Sequence, residues 1–364
     1  MQVVRLVLKD LRRFHELSLE PSGGLNLVTG DNGAGKTSVL EALHLMAYGR
    51  SFRGRVRDGL IRQGAEALEV FVEWREQGAG AALHLRKAGL RHAGQSWTGR
   101  LDGESVSQLG DLCAALAVVS FEPGSHSLIA GAAENRRRYL DWGLFHVEHD
   151  FLRQWRRYSR GLKQRNALLK SHASNSQLDA WDHELAEAGE ALTRYREAYV
   201  ADLLPHVMAT FDQLTSGLQI QSLELLPGWR RHEVSLLDAL LIGRERDRAS
   251  GFTSVGPHRA DWTLHYVNLP GREALSRGQT KLVALSMLLG QAADYATRRG
   301  HWPVVALDDL PSELDAGHQK RALSYLQSQP GVQLFLTTTA VPAAWTNAAA
   351  AARVFHVEHG ALKS

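Results

Sequence analysis

The sequence lacks the features on which several protein classes depend. Its 364 residues include one cysteine, Cys113, so no disulfide can form within the chain and a zinc site of several thiolates is excluded. No apolar run approaches the roughly 20 residues of a membrane-spanning helix, and the first residues show no signal-peptide pattern. These absences predict a cytoplasmic protein that has no membrane partner.

Neither sign of charge dominates the chain. The formal net charge is +3, which is too small to indicate a nucleic-acid partner by itself. The distribution is more informative, because residues 151–170 carry several arginines and lysines and no acidic residue, and Arg136 to Arg138 precede them. A DNA-binding surface and a solvated helix face are equally good interpretations of this run. The candidate DNA contacts are Arg136, Arg137, Arg153, Arg156, Arg157 and Arg160.

The periodicity of apolar residues divides the chain into two α/β segments around a helical one. Short apolar or alternating segments predict strands at 3–8, 17–20, 25–29, 68–74, 81–86, 262–267, 303–307 and 332–337. A helix is predicted at 279–297. Between the α/β segments, the apolar steps of three and four residues predict two long helices on either side of a polar loop at 171–176, with the pattern loosening at Pro205. We therefore expect an α/β head, residues 1–133 with 250–364, and an inserted helical arm, residues 134–249.

Residues 30–37, GDNGAGKT, match the phosphate-loop pattern without a gap. They follow a predicted strand and precede a helical pattern, which is the context that this loop requires. The glycines allow main-chain N–H groups to turn inward around a β-phosphate. Lys36 would reach the β- and γ-phosphates, and the Thr37 hydroxyl would coordinate Mg²⁺. The loop therefore predicts a nucleoside triphosphate with Mg²⁺ as the ligand.

A pair of carboxylates follows the apolar run PVVAL at 303–307. Asp308 would hold the Mg²⁺ ion directly or through water, and Asp309 would orient or deprotonate the attacking water. The two residues could instead cap the turn that follows the strand. Because the same chain carries a phosphate loop, the nucleotide role is favoured. The candidate catalytic residues are Lys36, Asp308 and Asp309.

A second helix start suited to an anion occurs at LSRGQ, residues 275–279. Together with the phosphate loop and LDDLPSELD at 307–315, this motif resembles the ATP-binding cassette ATPases, whose signature is LSGGQ. In that class the signature contacts the γ-phosphate of a nucleotide held by a partner subunit. The resemblance thus implies a homodimer closed by ATP, in which the signature residues serve the partner's nucleotide. These residues are Ser276, Arg277, Gly278 and Gln279.

Further motifs along almost the whole chain narrow the resemblance. GRSFRG at 49–54, ENRRRYLD at 134–141, SVGPHRADW at 254–262 and SELD at 312–315 are similar to those of the RecF family of bacterial recombination mediators, which are SMC-type ATPases. The resemblance implies a weak, DNA-stimulated ATPase that binds DNA at gaps, where single and double strands meet. It also implies help in loading RecA together with RecO and RecR partners. The nucleotide contacts that it implies are Gly30, Asn32, Gly33, Ala34, Gly35, Lys36, Thr37 and Ser38.

The sequence departs from the cassette pattern at several positions. Asp309 stands where most cassette ATPases carry glutamate, and Thr337 to Thr339 stand where they carry a switch histidine, which agrees with slow hydrolysis. Glu122 lies in the region of the usual glutamine loop. Arg12, Arg13 and Phe14 are candidates for contact with the nucleotide base. A transporter subunit and a scaffold that binds ATP without turnover remain the alternative functions.

Overall fold

The computed structural model describes residues 1–53, 59–77, 83–171, 173–341, 345 and 351–363. Within these ranges the strands are β1 (Gln2–Leu11), β2 (Phe14–Leu19), β3 (Leu25–Thr29), β4 (Leu68–Gln77), β5 (Leu83–His92), β6 (Trp97–Leu101), β7 (Glu104–Val106), β8 (Val118–Phe121), β9 (Ile220–Leu226), β10 (Asp261–Tyr266), β11 (Val304–Leu307), β12 (Leu334–Thr338), β13 (Arg353–Glu358) and β14 (Ala361–Lys363). The helices are α1 (Lys36–Tyr48), α2 (Leu109–Ala115), α3 (Ser127–Ala130), α4 (Ala133–Val147), α5 (Phe151–Lys170), α6 (Asn175–Leu214), α7 (Leu236–Ile242), α8 (Arg244–Ser250), α9 (Arg277–Arg299), α10 (Leu310–Glu313) and α11 (Ala316–Ser328). Among these helices, none combines the length and the apolar character that a membrane span requires.

The chain forms two compact units. The first comprises residues 1–126, 209–216 and 276–364, and the second comprises residues 127–208 and 217–275. These divisions differ from the boundaries expected from the sequence, after residue 133 and before residue 250. Strand β10 accounts for the second difference, because it pairs with β9 and therefore belongs to the second unit.

One sheet of the first unit is antiparallel. Its described strands follow the order β2-β1-β4-β5-β6-β7. Along β1, Val3, Leu6 and Leu8 are buried, whereas Arg5 and Lys9 are exposed. A register shift separates Val3 from Arg5, and from Arg5 onward the alternation places Leu6 and Leu8 on one face of the sheet and Arg5 and Lys9 on the other.

The other sheet of the first unit is largely parallel and positions the candidate site. Its described strands follow the order β14-β13-β3-β12-β11-β8, and only the β13–β14 pair is antiparallel. Every residue of β3, β11 and β12 is buried, as expected for central strands covered on both faces. Because these strands run in the same direction, the segments that follow them emerge at one edge of the sheet.

The α/β class predicted from the sequence is confirmed, with corrections to individual elements. Strand β3 has the predicted bounds, and α9 extends the predicted 279–297 helix by about one turn in total. The first long helix is in fact two, α4 and α5. Helix α6 continues through Pro205, whose neighbours Leu203 and Val207 are fully buried, so packing offsets the lost backbone hydrogen bond. Residues 81–82 of a predicted strand lie outside the described residues.

A buried ionic network holds the second unit together. Arg165 of α5 is fully buried and pairs with Asp182 of α6 at 2.5 Å and with Asp247 of α8 at 2.7 Å. Its Nη1 also donates to Thr253 Oγ1 at 2.8 Å. His258 contacts the same loop, since its Nε2 lies 2.9 Å from the Thr253 carbonyl oxygen. The contacts of His258 within this unit are those of local packing.

We expect Arg165→Met to lower the free energy of unfolding by about 3–5 kcal/mol, because Asp247 would remain buried without a counter-charge and Asp182 would keep only its pair with Arg244. Urea denaturation of the variant and the parent measures the change. Arg160→Met on the same helix is the matched control, since Arg160 is exposed, and it should change the free energy by less than about 0.5 kcal/mol. Equal losses in both variants would contradict the structural role of the network.

Candidate functional site

A polar cleft of about 410 Å³ opens at the carboxyl edge of the parallel sheet. The loop after β3 forms its floor, and residues that end or follow β11 and β12 form one wall. The turn between β1 and β2 contributes a basic wall. The lining residues are Arg12, Arg13, Asn32, Gly33, Gly35, Lys36, Thr37, Ser38, Arg53, Gly59, Asp309 and Thr337.

At two positions of the phosphate loop, glycine is required both by the backbone conformation and by the short distance to neighbouring atoms. Gly30 has φ 143°, and a Cβ atom there would lie 2.1 Å from the carbonyl oxygen of Val357. Gly35 has φ 119°, and a Cβ atom would lie 2.9 Å from the ring of Phe14. Both φ values lie in the region that favours glycine. Phe14 therefore supports the loop from beneath, in contrast to the base contact expected from the sequence.

Lys36 closes the phosphate loop on itself. Its Nζ donates to the carbonyl oxygens of Gly30 at 2.8 Å and Asp31 at 2.9 Å. Burial lowers the pKa of Lys36, and the nearby Asp309 and Asp308 oppose this shift. The helix that begins at Lys36 has Gly35 as its N-cap, which supplies no side chain to its first N–H groups. A helix start of this kind, with an ammonium group beside it, suits an anion such as a polyphosphate.

Asp308 lies directly beside the phosphate loop. Its Oδ1 accepts hydrogen bonds from Thr37 Oγ1 at 3.0 Å and from Thr337 Oγ1 at 2.6 Å. The residue is 3% exposed, and burial raises the pKa of its carboxyl group although both hydroxyls lower it. A buried carboxylate beside a threonine hydroxyl provides the hard oxygen ligands that Mg²⁺ prefers. The two residues predicted to hold the metal are thus in contact and fit such an ion.

Asp309 adopts an unusual backbone conformation in the wall of the cleft. Its φ and ψ are 48° and 42°, in the left-handed region that residues other than glycine rarely adopt. Its N–H donates to Thr337 Oγ1 at 2.9 Å. The structure therefore brings the three candidate catalytic residues, Lys36, Asp308 and Asp309, to one site.

Three residues of the cleft lining were missed by reasoning from the sequence, namely Arg53, Gly59 and Thr337. Burial raises the pKa of Asp308, and the charge of Arg53 partly opposes this rise. The signals for Arg53 and Thr337 were the motif GRSFRG and the threonine run at 337–339, to which no role in binding was assigned. Arg12 and Arg13 do line the cleft, and the Arg12 guanidinium pairs with the fully buried Glu41 of α1 at 2.7 Å.

The signature residues lie at the start of α9. Ser276 is the N-cap, whose Oγ accepts the N–H of Gln279 at 3.3 Å, and Gln279 Oε1 accepts the N–H of Ser276 at 2.8 Å. Ser276, Arg277, Gly278 and Gln279 are all exposed, and none of them lines the cleft. One chain therefore does not bring its own signature to its own phosphate loop.

The loop that follows the carboxylates is attached to the signature helix. Lys281 of α9 pairs with Glu313 of α10 at 2.8 Å, and Asp315 caps α11 by accepting the His318 N–H at 3.0 Å. Glu122 follows β8, the neighbour of β11, but does not line the cleft. Its carboxylate accepts the N–H of Gly124, and burial raises its pKa.

The predicted DNA contacts in the second unit differ in accessibility. Arg136 is 2% exposed and pairs with Asp261 at 2.6 Å, so it stabilises the fold and is withdrawn as a DNA contact. Arg137 donates to the carbonyl oxygen of Ala260 at 2.8 Å. Arg157 pairs with two glutamates of α6, whereas Arg153 and Arg160 are exposed.

The chain is similar over nearly its whole length to one protein family. Residues 2–363 match the family described as the RecF/RecN/SMC N terminal domain. The chain is 65% identical over 362 residues to the DNA replication and repair protein RecF of Stenotrophomonas maltophilia (strain R551-3), covering 100% of this chain and 99% of that protein. It is 40% identical over 361 residues to RecF of Thioalkalivibrio sulfidiphilus (strain HL-EbGR7), covering 99% and 98%.

Solved structures share the fold. A structure of the recombination mediator protein RecF with ATP, in the RecFOR pathway, has a TM-score of 0.85 at 24% identity, over 100% of this chain and 97% of that chain. An Smc head bound to the C-winged helix domain of ScpA has a TM-score of 0.60 at 15% identity, over 100% and 96%. The predicted cassette-type head is thereby confirmed. The chain belongs to the RecF family of DNA replication and repair proteins.

Proposed function

We propose that this protein is an ATP-controlled DNA-binding protein of recombinational repair and replication-fork maintenance. The observation that supports this most is the convergence of the phosphate loop, Asp308 and Asp309 at one sheet edge, in a chain of the RecF family. ATP binding is the event that this site serves, and hydrolysis resets it.

The phosphate loop is proposed to hold the triphosphate. Main-chain N–H groups from Gly30 to Ser38 surround the phosphates, and Lys36 exchanges its two carbonyl acceptors for phosphate oxygens. Thr37 and Asp308 would hold Mg²⁺, which would neutralise charge on the phosphates. Asp309 orients the attacking water and accepts its proton. Because aspartate is one methylene shorter than the usual glutamate, turnover should be slow.

The signature is proposed to act on the partner's nucleotide. Its four residues are exposed and do not line the cleft of their own chain, so in this proposal a second copy brings a signature to each phosphate loop. ATP would then join two subunits, and its hydrolysis would release them. The dimer is therefore a switch that reports the state of the nucleotide.

DNA at gaps, with single-stranded and double-stranded parts, is the proposed macromolecular ligand. The proposed contacts to phosphates are Arg153 and Arg160, which are exposed on α5, and Arg156 of the same helix. Arg157 is held by two glutamates of α6 and is not among them. One solved relative is described as a recombination mediator of the RecFOR pathway. We accordingly propose partners of the RecO and RecR type, help in loading RecA, and action in the cytoplasm.

We expect Lys36→Ala to raise the dissociation constant for ATP at least about tenfold, because a charged hydrogen-bond donor to the phosphates is lost. Titration with a fluorescent ATP analogue measures the change, and Lys320→Ala, an exposed lysine on α11, is the control.

Phosphate release from the parent should be slow and should rise on addition of gapped DNA. Tight ATP binding without any release would favour the scaffold alternative.

We expect Ser276→Arg to preserve ATP binding by the monomer and to abolish ATP-dependent dimerisation, because a bulky cation would replace the N-cap of the signature helix. Sedimentation with ADP, ATP and a non-hydrolysable analogue, each with and without gapped DNA, measures assembly. Ser235→Arg is the matched control, since the Ser235 side chain also accepts an N–H three residues later, at the start of α7. Dimerisation of Ser276→Arg at the level of the parent would rule out the role in trans.

We expect the affinity for gapped DNA to fall steeply with salt concentration, with a slope set by the number of phosphates contacted. Arg153→Glu combined with Arg160→Glu should weaken binding and make that slope shallower by about 1 or more. Fluorescence anisotropy at several salt concentrations measures both quantities. Arg230→Glu, an exposed position outside the basic run, is the control. An unchanged slope in the double variant would exclude α5 from the DNA-binding surface.

A further inference from the structure

Thr337 joins the two carboxylate residues of the cleft. It lies in β12, next to the end of β11, and is fully buried. Its hydroxyl donates to Asp308 Oδ1 at 2.6 Å and accepts the N–H of Asp309 at 2.9 Å. The same hydroxyl group is thus a donor to Asp308 and an acceptor from Asp309.

The contact with Asp308 orients the carboxylate. Thr37 and Thr337 both donate to Oδ1, and among the described residues Oδ2 has no hydrogen-bond partner. Thr37 lies in the first turn of α1 and is also a candidate ligand for the cation, so its hydroxyl has two possible partners. Thr337 lies in β12 and not in the phosphate loop. Its hydroxyl is therefore free to keep its hydrogen bond to Asp308 when the nucleotide and cation bind to the loop.

The contact with Asp309 anchors a strained backbone. A non-glycine residue with φ 48° and ψ 42° persists only where its surroundings impose this conformation. The hydrogen bond from the Asp309 N–H to Thr337 is one such restraint, and it acts on the backbone from which the side chain of Asp309 extends. Without the hydroxyl, this N–H would lose its acceptor within the cleft wall.

We propose that Thr337 is a positioning residue of the ATPase site, which sets the Asp308 carboxylate and the Asp309 backbone relative to each other for a divalent cation and the attacking water. The inference rests on the proposed ATPase function. The Thr337 hydroxyl lies near the end of β12, in the region where cassette ATPases carry their switch histidine.

The neighbouring Thr338 provides a matched control. It is also buried, at 1% exposure, and lies in the same strand. Its hydroxyl donates to the carbonyl oxygen of Ala340 at 2.6 Å and has no recorded contact with Asp308 or Asp309 among the described residues. Replacing either threonine by valine removes one hydroxyl at nearly constant volume, so packing effects should be similar in the two variants.

The experiment compares Thr337→Val, Thr337→Ser, Thr337→Ala and Thr338→Val with the parent. For each protein, the dissociation constant for ATP is measured in EDTA and with Mg²⁺, turnover is measured by phosphate release, and folding is checked by thermal unfolding. If Thr337→Val does not fold, the Ser and Ala variants decide, because they differ by the hydroxyl alone.

We expect Thr337→Val to keep its ATP affinity in EDTA within about twofold of the parent, because the phosphate loop is unchanged. Its gain in affinity from Mg²⁺ and its turnover should each fall by about tenfold, as for loss of a hydrogen bond to a charged group. Thr337→Ala should behave in the same way. Thr337→Ser and Thr338→Val should stay within about threefold of the parent in every measurement.

Two results would overturn the inference and leave the proposed function intact. The first is a Thr337→Val protein with the Mg²⁺ gain and turnover of an active parent, and the second is an equal loss in Thr338→Val. A parent that neither binds nor hydrolyses ATP would overturn the proposed function itself, and this inference with it.

Discussion

The hydrogen bond between Thr37 and Asp308 is the contact on which the site depends. It joins residues 271 positions apart in the chain, one at the start of α1 and one directly after β11. It is possible only because β3, β12 and β11 are adjacent, parallel and fully buried, so their carboxyl ends cannot shift independently. Rigid strands are what hold a phosphate loop and a metal-binding carboxylate within one hydrogen bond of each other.

The same sheet edge contains only one half of the composite site that we propose. It provides a lysine, hydroxyls, carboxylates and arginines, but it does not contain the exposed turn at Ser276. The capping box holds that turn in shape without a ligand, so its N–H groups are arranged before any partner arrives. Lys36 in turn has internal acceptors and needs no anion to remain ordered. Both halves of the proposed composite site are therefore preorganised for assembly.

In the second unit, fewer basic side chains are available to DNA than the run of arginines and lysines in the sequence indicates. Arg136 and Arg165 are buried and neutralised by aspartates, and Arg157 is engaged by glutamates of the facing helix. Removing a buried guanidinium group leaves a carboxylate without a counter-charge, which strongly destabilises a fold. Fewer arginines than the sequence contains are accessible to phosphates, which restricts the proposed contacts to the outer face of α5.

The sequence by itself determined the α/β class, the phosphate loop and the carboxylate pair, because these depend on local patterns: apolar runs, glycine spacing and charge at the end of a strand. Buried strand β3 and helix α9 were predicted for the same reason. Only the tertiary structure decided that Thr337 and Arg53 belong to the cleft and that Arg136 does not face solvent. Those outcomes depend on which strands are neighbours and on which acid reaches which base, and no local pattern encodes contacts between residues so far apart in the chain.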